Sequence, residues 1–335
     1  MITREELDRA RTVIRGHVHR TPLLSTASLG ARCGVRLHVK CENLQKTGSY
    51  KPRGGVNRIA QLSADEKRRG VIVMSAGNLA QGVAYAARQA GVRCWVSMLA
   101  TASAAKIDAV RGYGAEVVLH PDPATWFEGV DALRAEKGAI LIDAWADAGL
   151  IAGYGSIGGE ILEDLPDVEV VVVPVGGGTL ISGIAAAIKL QRPEVRVVGV
   201  ECLPGRLVHD SVAAGKPQWQ KRGPSIADGL SSPTTSQLVV DTVGRYVDDL
   251  VAVSEDEIRE AMRGLLQRAK LLVEGAGAAA VAALLAGRTE RESGRRVAAV
   301  LSGGNVDFTR LQDVIGRDGP PDPSADPRPA VGPRR

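Results

Sequence analysis

Thr47-Gly48-Ser49-Tyr50-Lys51-Pro52-Arg53-Gly54-Gly55 is a polar loop with one lysine that runs into an amphipathic segment continuing through Val56, Ile59 and Ala60. Proline has a fixed φ and no N–H, so it is tolerated in the first turn of a helix and costs about 3 kcal/mol inside one. Pro52 therefore predicts a helix starting here, with Lys51 at its mouth. That first turn exposes unpaired N–H groups and the positive end of the helix dipole, which favour anions and disfavour a second cation on an amine held there. Lys51 is thus a candidate nucleophilic amine, although a solvated lysine at a helix start has the same local pattern.

Working outward, Val35 to Cys41 alternates apolar and polar residues in the period of a half-buried strand. After the lysine loop the pattern repeats. Val71-Ile72-Val73-Met74, Cys94 to Met98, Ala115 to Leu119 and Ala139 to Ile142 read as strands, each of the first three followed by a helical segment. A second, more hydrophobic series reads as a helix from Ser156 to Leu165, a strand from Val168 to Val175, a helix from Leu180 to Leu190 and a strand from Val195 to Val200. Helices at Glu255 to Leu266 and Gly275 to Leu285, and a strand at Arg296 to Leu301, complete it. Such alternation predicts an α/β protein of two domains, each a largely parallel sheet with helices on both faces.

The 335 residues, 44% of them hydrophobic, can fill a substantial core. A net charge of +4 without a long basic run, together with 3% aromatics, lacks the signature of a nucleic-acid binder. No apolar run reaches the roughly 18 residues that span a bilayer, so no membrane partner is expected. The N-terminus opens a charged helix with Thr3 and Glu6 in capping-box spacing, unlike a signal peptide, which predicts a cytoplasmic protein. Cys33, Cys41, Cys94 and Cys202 lack C-x-x-C spacing and read as buried free thiols; five scattered histidines suggest no metal site. From Pro320 to Arg335 the chain is rich in Pro, Asp and Arg, so 319–335 is expected to be a disordered tail.

Gly176-Gly177-Gly178-Thr179 lies between a buried strand and a helix, where bare backbone can aim N–H groups at an anion. The glycines fit either a phosphate cradle or a tight strand-to-helix turn that needs positive φ. Their spacing is neither G-x-G-x-x-G nor a P-loop, which argues against a dinucleotide and against ATP. Ser75-Ala76-Gly77-Asn78 and Ser302-Gly303-Gly304-Asn305 likewise end strands, so they are expected at the same crevice, although Ser and Asn are also ordinary helix caps.

The ordered set Ser49-Tyr50-Lys51-Pro52-Arg53-Gly54, Ser75-Ala76-Gly77-Asn78-Leu79-Ala80-Gln81-Gly82, the glycine loop, Ile226-Ala227-Asp228-Gly229 and Ser302-Gly303-Gly304-Asn305 resembles the serine/threonine dehydratase and serine racemase family of pyridoxal-phosphate enzymes. The resemblance spans roughly residues 5 to 315. It implies the tryptophan-synthase-β fold (fold type II), with 1–55 and 146–318 as a large cofactor domain and 56–145 as a small one. It also implies that Lys51 holds pyridoxal 5'-phosphate as an imine and serves as general base. Gly176, Gly177, Gly178 and Thr179 then hold the phosphate, Asn78 meets the ring oxygen and Ser302 meets the ring nitrogen. Ser75, Ala76, Gly77, Asn78 and Leu79 take the substrate carboxylate, and Trp145 and Gly229 also face the substrate. The implied activity is dehydration and deamination of a β-hydroxy amino acid such as L-threonine or L-serine, in a homodimer or higher homo-oligomer. β-Replacement, as in cysteine synthase, and a non-catalytic pyridoxal-phosphate carrier are the alternatives.

Several positions depart from the family pattern. Leu79 stands where histidine is usual, Trp145 where Phe or Asn is common, Tyr154 where glutamine is usual, and Thr179 where a fourth glycine is usual. Ala76 replaces the serine of the racemases, which removes a hydroxyl that can return a proton on the face opposite Lys51. Glu201, Gly205 and Leu207 fall where cation-binding relatives place two acids and a carbonyl, so no metal site is expected.

Overall fold

The computed structural model describes residues 1–316 apart from 222, 224, 290 and 291, so the tail expected at 319–335 lies outside the described residues. Its strands are β1 (Leu23–Ser25), β2 (Arg36–Cys41), β3 (Val71–Met74), β4 (Cys94–Leu99), β5 (Glu116–His120), β6 (Ile140–Ile142), β7 (Val170–Pro174), β8 (Arg196–Cys202), β9 (Asp249–Val253) and β10 (Arg296–Leu301). They form a six-stranded sheet, β1-β2-β10-β7-β8-β9, and a four-stranded sheet, β5-β4-β3-β6. Among the described residues every strand pairing is parallel except that of edge strand β1 with β2.

The strand period of two decides which side each valine serves. In β7, Val171 and Val173 point into one core while Val170 and Val172 point into another. In β3, Val71 and Val73 join the first of these cores and Ile72 packs with Trp95 and Trp126 on the outer face. One core therefore runs between the two sheets, and each sheet has a second core on its far side. All of β7 is buried, and full burial of each valine there contributes about 1.5–3 kcal/mol.

The helix expected to start at Ser156 begins at Ala148 instead and runs to Asp164. Asp147 caps it, its side chain accepting from the N–H of Leu150 at 3.0 Å. Gly149, Gly153 and Gly155 sit inside this helix because it is crossed closely by two others. A β-carbon built on Gly153 would stand 2.4 Å from the carbonyl oxygen of Arg53, in the helix Lys51–Ala60. One built on Gly183, in the helix Thr179–Lys189, would stand 2.2 Å from the carbonyl oxygen of Ile151. The helix Lys51–Ala60 runs unbroken across residues 55 and 56, where a domain boundary is expected from the resemblance. Cys41 and Cys94 are buried and Cys33 and Cys202 half-buried, all as free thiols. Among the described residues no helix is long and apolar enough to cross a membrane.

Candidate active site

Strands β2, β10 and β7 are neighbours, so the loops that leave their carboxyl ends lie side by side, where ligands bind in open α/β sheets. The loop after β2 is sewn to the loop after β10. Tyr50 N–H donates to the Ser302 carbonyl at 3.1 Å and Gly304 N–H to the Gly48 carbonyl at 2.8 Å. The Asn305 side-chain amide donates to the Thr47 carbonyl at 2.8 Å. Gly48 turns at φ 71°, in the left-handed region that favours glycine.

Lys51 is the first residue of its helix, Tyr50 precedes it, and Pro52 occupies the first turn. The fourth loop, Ser75 to Asn78, arrives from β3 and opens the helix Asn78–Gln89. That helix lies against Lys51, since a β-carbon on Gly82 would meet the Lys51 Cβ at 2.6 Å. The Lys51 Nζ stands 4.6 Å from the centroid of the Tyr50 ring and 5.4 Å from that of Tyr154.

Gly178 turns at φ 89° and Thr179 begins the helix Thr179–Lys189. The third position of the loop thus demands positive φ and the fourth does not, which is why a threonine is accommodated there. The N–H groups of Gly176, Gly177, Gly178 and Thr179 donate to no backbone carbonyl among the described residues. The glycines also fill a tight turn: β-carbons at Gly176 and Gly177 would press on Leu230 Cα at 3.0 Å and on Trp145 Cδ1 at 2.8 Å. The loop is thus tightly packed behind and leaves its backbone donors unpaired ahead.

Glu274, which the motifs did not single out, lies at the centre. Asn78 donates its side-chain amide to the Glu274 Oε1 at 2.7 Å, while its own carbonyl oxygen accepts from Asn305 at 2.8 Å. Burial, with the Asp228 carboxylate nearby, pushes the Glu274 carboxyl up from 4.5 to about 8. A β-carbon on Gly303 would sit 2.3 Å from the same oxygen, so only glycine at 303 leaves room for the acid. Lys106, from the four-stranded part, pairs with Asp228 at 3.1 Å. The one sequence signal for Glu274 is a lone acid in the run Leu271-Leu272-Val273-Glu274-Gly275-Ala276.

The remaining candidates are dispersed around this centre. Ser75 Oγ accepts from the N–H of Gly77 at 3.2 Å, and Ala76 is half-buried and packed against the inter-sheet core. Leu79 is buried in that core. The indole N–H of Trp145 donates to Ser232 Oγ at 2.9 Å, which fixes the ring against Gly177. Gly229 lies between the glycine loop and Glu274. Ser302 is buried. The Glu201 carboxylate accepts from the N–H groups of Val208 and His209 at 2.8 and 3.1 Å, capping the helix Leu207–Ala214. Burial pushes that carboxyl up to about 7.

Residues 14–303 match the family described as pyridoxal-phosphate dependent enzymes. The chain is 44% identical over 322 residues to the L-threonine ammonia-lyase of Thermotoga maritima, covering 95% of this chain and 79% of that one. It is 39% identical over 314 residues to the catabolic L-threonine dehydratase of Escherichia coli, covering 93% and 95%. The solved structure of maize serine racemase superposes with a TM-score of 0.88 at 32% identity, over 93% of this chain and 96% of that one. This chain is a pyridoxal-phosphate dependent enzyme. It has the type II fold and is a lyase that depends on that cofactor.

The donor set fits the cofactor of the family. Free amides at a helix N-terminus suit a single phosphate, and an amine held in the adjacent helix mouth suits an aldehyde. Behind the amine, Arg53 anchors the helix mouth from within. Its guanidinium is fully buried and donates to Glu42 at 2.8 Å and to Glu160 at 2.7 Å, with Ser156, Thr21 and the His19 carbonyl as further acceptors. Lys40, also fully buried, meets Glu160 at 2.6 Å. Burial alone would raise the Glu160 carboxyl, but Arg53 and Lys40 hold it below its ordinary value.

Proposed function

We propose that this enzyme removes water and then ammonia from a β-hydroxy amino acid of the L-threonine or L-serine type, by α,β-elimination to a 2-oxo acid. The observation that carries this reading is one amine, Lys51, set beside loops that offer free amides at Gly176–Thr179 and a neutral hydroxyl at Ser302. The relatives named threonine ammonia-lyase and threonine dehydratase support the substrate class.

Pyridoxal phosphate, when bound, supplies an aldehyde for the amine and a ring that accepts electrons from the substrate Cα. Lys51 would hold it covalently and, with substrate in its place, would act as the base at the α-proton. Gly176, Gly177, Gly178 and Thr179 donate to the phosphate. Asn78 would offer its remaining amide hydrogen to the ring oxygen, and the amides of the Ser75, Ala76, Gly77, Asn78 and Leu79 loop would receive the substrate carboxylate. Trp145 and Gly229 bound the substrate side. Ser302 would meet the ring nitrogen with a neutral hydroxyl, which cannot stabilise a positive ring as a carboxylate does. That restraint favours quick loss of the β-hydroxyl. The released enamine takes up water and yields 2-oxo acid and ammonia.

The wider reading is of two domains, 1–55 with 146–318 and 56–145, in a cytoplasmic homodimer or higher homo-oligomer. Reaction of L-threonine and L-serine with and without sulfide tests the function. Formation of 2-oxo acid unchanged by sulfide supports elimination, and diversion of product into a sulfur amino acid supports β-replacement instead.

A further inference from the structure

Tyr154 is a fully buried phenol next to the candidate amine, and its hydroxyl has no hydrogen-bond partner among the described residues. Such a group is costly to bury, so the usual reason to place a tyrosine in a protein interior, a satisfied hydroxyl, does not apply here. What the residue offers is its ring. The Tyr50 and Tyr154 rings stand 4.7 Å apart at 75° and form a corner. The Lys51 Nζ lies in that corner, 4.6 and 5.4 Å from the two centroids, within the roughly 6 Å over which a ring face attracts a cation.

Apart from the Glu274 carboxyl nearby, the rings are what holds the amine: Lys51 Nζ makes no hydrogen bond or ion pair among the described residues. A lysine on four rotatable bonds is otherwise free to sample many positions. The Tyr154 ring, by contrast, cannot move. A β-carbon on Gly54 would meet its Cε1 at 2.4 Å and its Cζ at 2.7 Å, and the Leu150 carbonyl closes the same gap. The helix crossing that needs Gly153, Gly155 and Gly183 fixes the backbone beneath it.

We propose that the faces of Tyr50 and Tyr154 form a two-ring cage that holds the Lys51 amine where it must form its bond, with Tyr154 a positioning residue through its ring and not through its hydroxyl. The proposal rests on the reading of Lys51 as the cofactor-bearing amine. Loading joins the Lys51 nitrogen to the aldehyde carbon of pyridoxal phosphate. The Lys51 ammonium first gives one proton to solvent; the carbonyl double bond then breaks, its oxygen leaves as water with the two protons left on the amine, and nothing is oxidised or reduced.

The test measures uptake rather than turnover. The full chain is stripped of cofactor with hydroxylamine, mixed with pyridoxal phosphate, and followed by visible absorbance; borohydride reduction and peptide mapping then identify the labelled lysine. Tyr154→Phe keeps the ring and should load within about twofold of the unmutated protein, with a melting temperature equal or higher because an unpaired hydroxyl is gone. Tyr154→Leu and Tyr50→Leu should load about tenfold more slowly or worse while still labelling Lys51, because the amine is no longer held in line with the aldehyde carbon it must meet. Should Tyr154→Leu fail to fold, Tyr50→Leu at its half-buried position carries the same expectation. Loading of the leucine variants at the unmutated rate overturns the cage, and so does Tyr154→Phe as slow as Tyr154→Leu. Label on another lysine in the unmutated protein overturns the reading of Lys51 instead.

Discussion

Asn78 donates to the buried carboxyl of Glu274 at 2.7 Å, and this one bond ties the loop after β3 to the mouth of the small-residue helix Gly275–Leu285. The two sheets thus meet at a side chain that also touches the Gly303 backbone position and lies near Lys51. A carboxyl pushed up to about 8 is mostly protonated near neutral pH.

The first expectation follows from that proton. The unfolded chain ionises Glu274 from about 4.5, whereas the native state keeps the proton up to about 8. Between these values the native state binds more protons, so this group makes stability fall as pH rises, and above about 8 its contribution is flat. Glu274→Gln cannot ionise. In urea titrations from about pH 5 to 9 its stability should rise relative to the unmutated protein; Glu201, unchanged in both, cancels from the comparison. A pH-independent difference would contradict a protonated Glu274.

Arg53 carries the second. Arg53→Met leaves the Glu42 and Glu160 carboxylates without their shared guanidinium. Removing one partner of a buried ion pair costs about 3–5 kcal/mol, to be read from urea unfolding. Arg53→Lys should recover only part of it, because an ammonium cannot fork between two carboxylates. A loss below about 1 kcal/mol would show that the cluster relaxes to admit water.

Local signals were legible and distant ones were not. Thr3 and Glu6 make both bonds of the capping box that their spacing suggests, and Pro52 marks the helix start, because caps and proline act within a turn. The insertion of β10 between β2 and β7 pairs Arg296 with Arg36, and no local pattern encodes such a distant partner. β9 is an edge strand with most of its residues half-buried, and its short apolar run Leu250-Val251-Ala252-Val253 fits a strand or a helical segment equally well by pattern. The glycines at 149, 153 and 155 permit a close helix crossing whose partner no local pattern encodes. Glu274 went unseen because burial, not motif, gives it its chemistry.

The third expectation concerns Ala76. On the resemblance to the racemases, whose serine at this position we read as the proton donor opposite the base, the Ala76 methyl group leaves proton return from that side without a donor. Chiral analysis of the reaction with L-serine or the preferred L-substrate should show the D-enantiomer forming far more slowly than the 2-oxo acid, and Ala76→Ser should raise its rate. Comparable rates in the unmutated protein would contradict this.

The central claim is that Lys51 drives elimination from a β-hydroxy amino acid, and the most direct measurement is the product balance with L-threonine. The unmutated enzyme should release 2-oxobutanoate and ammonia in equal amounts, and Lys51→Ala, still folded, should release neither above the uncatalysed rate. Products unequal in amount, or a Lys51→Ala protein that retains turnover, would contradict the account.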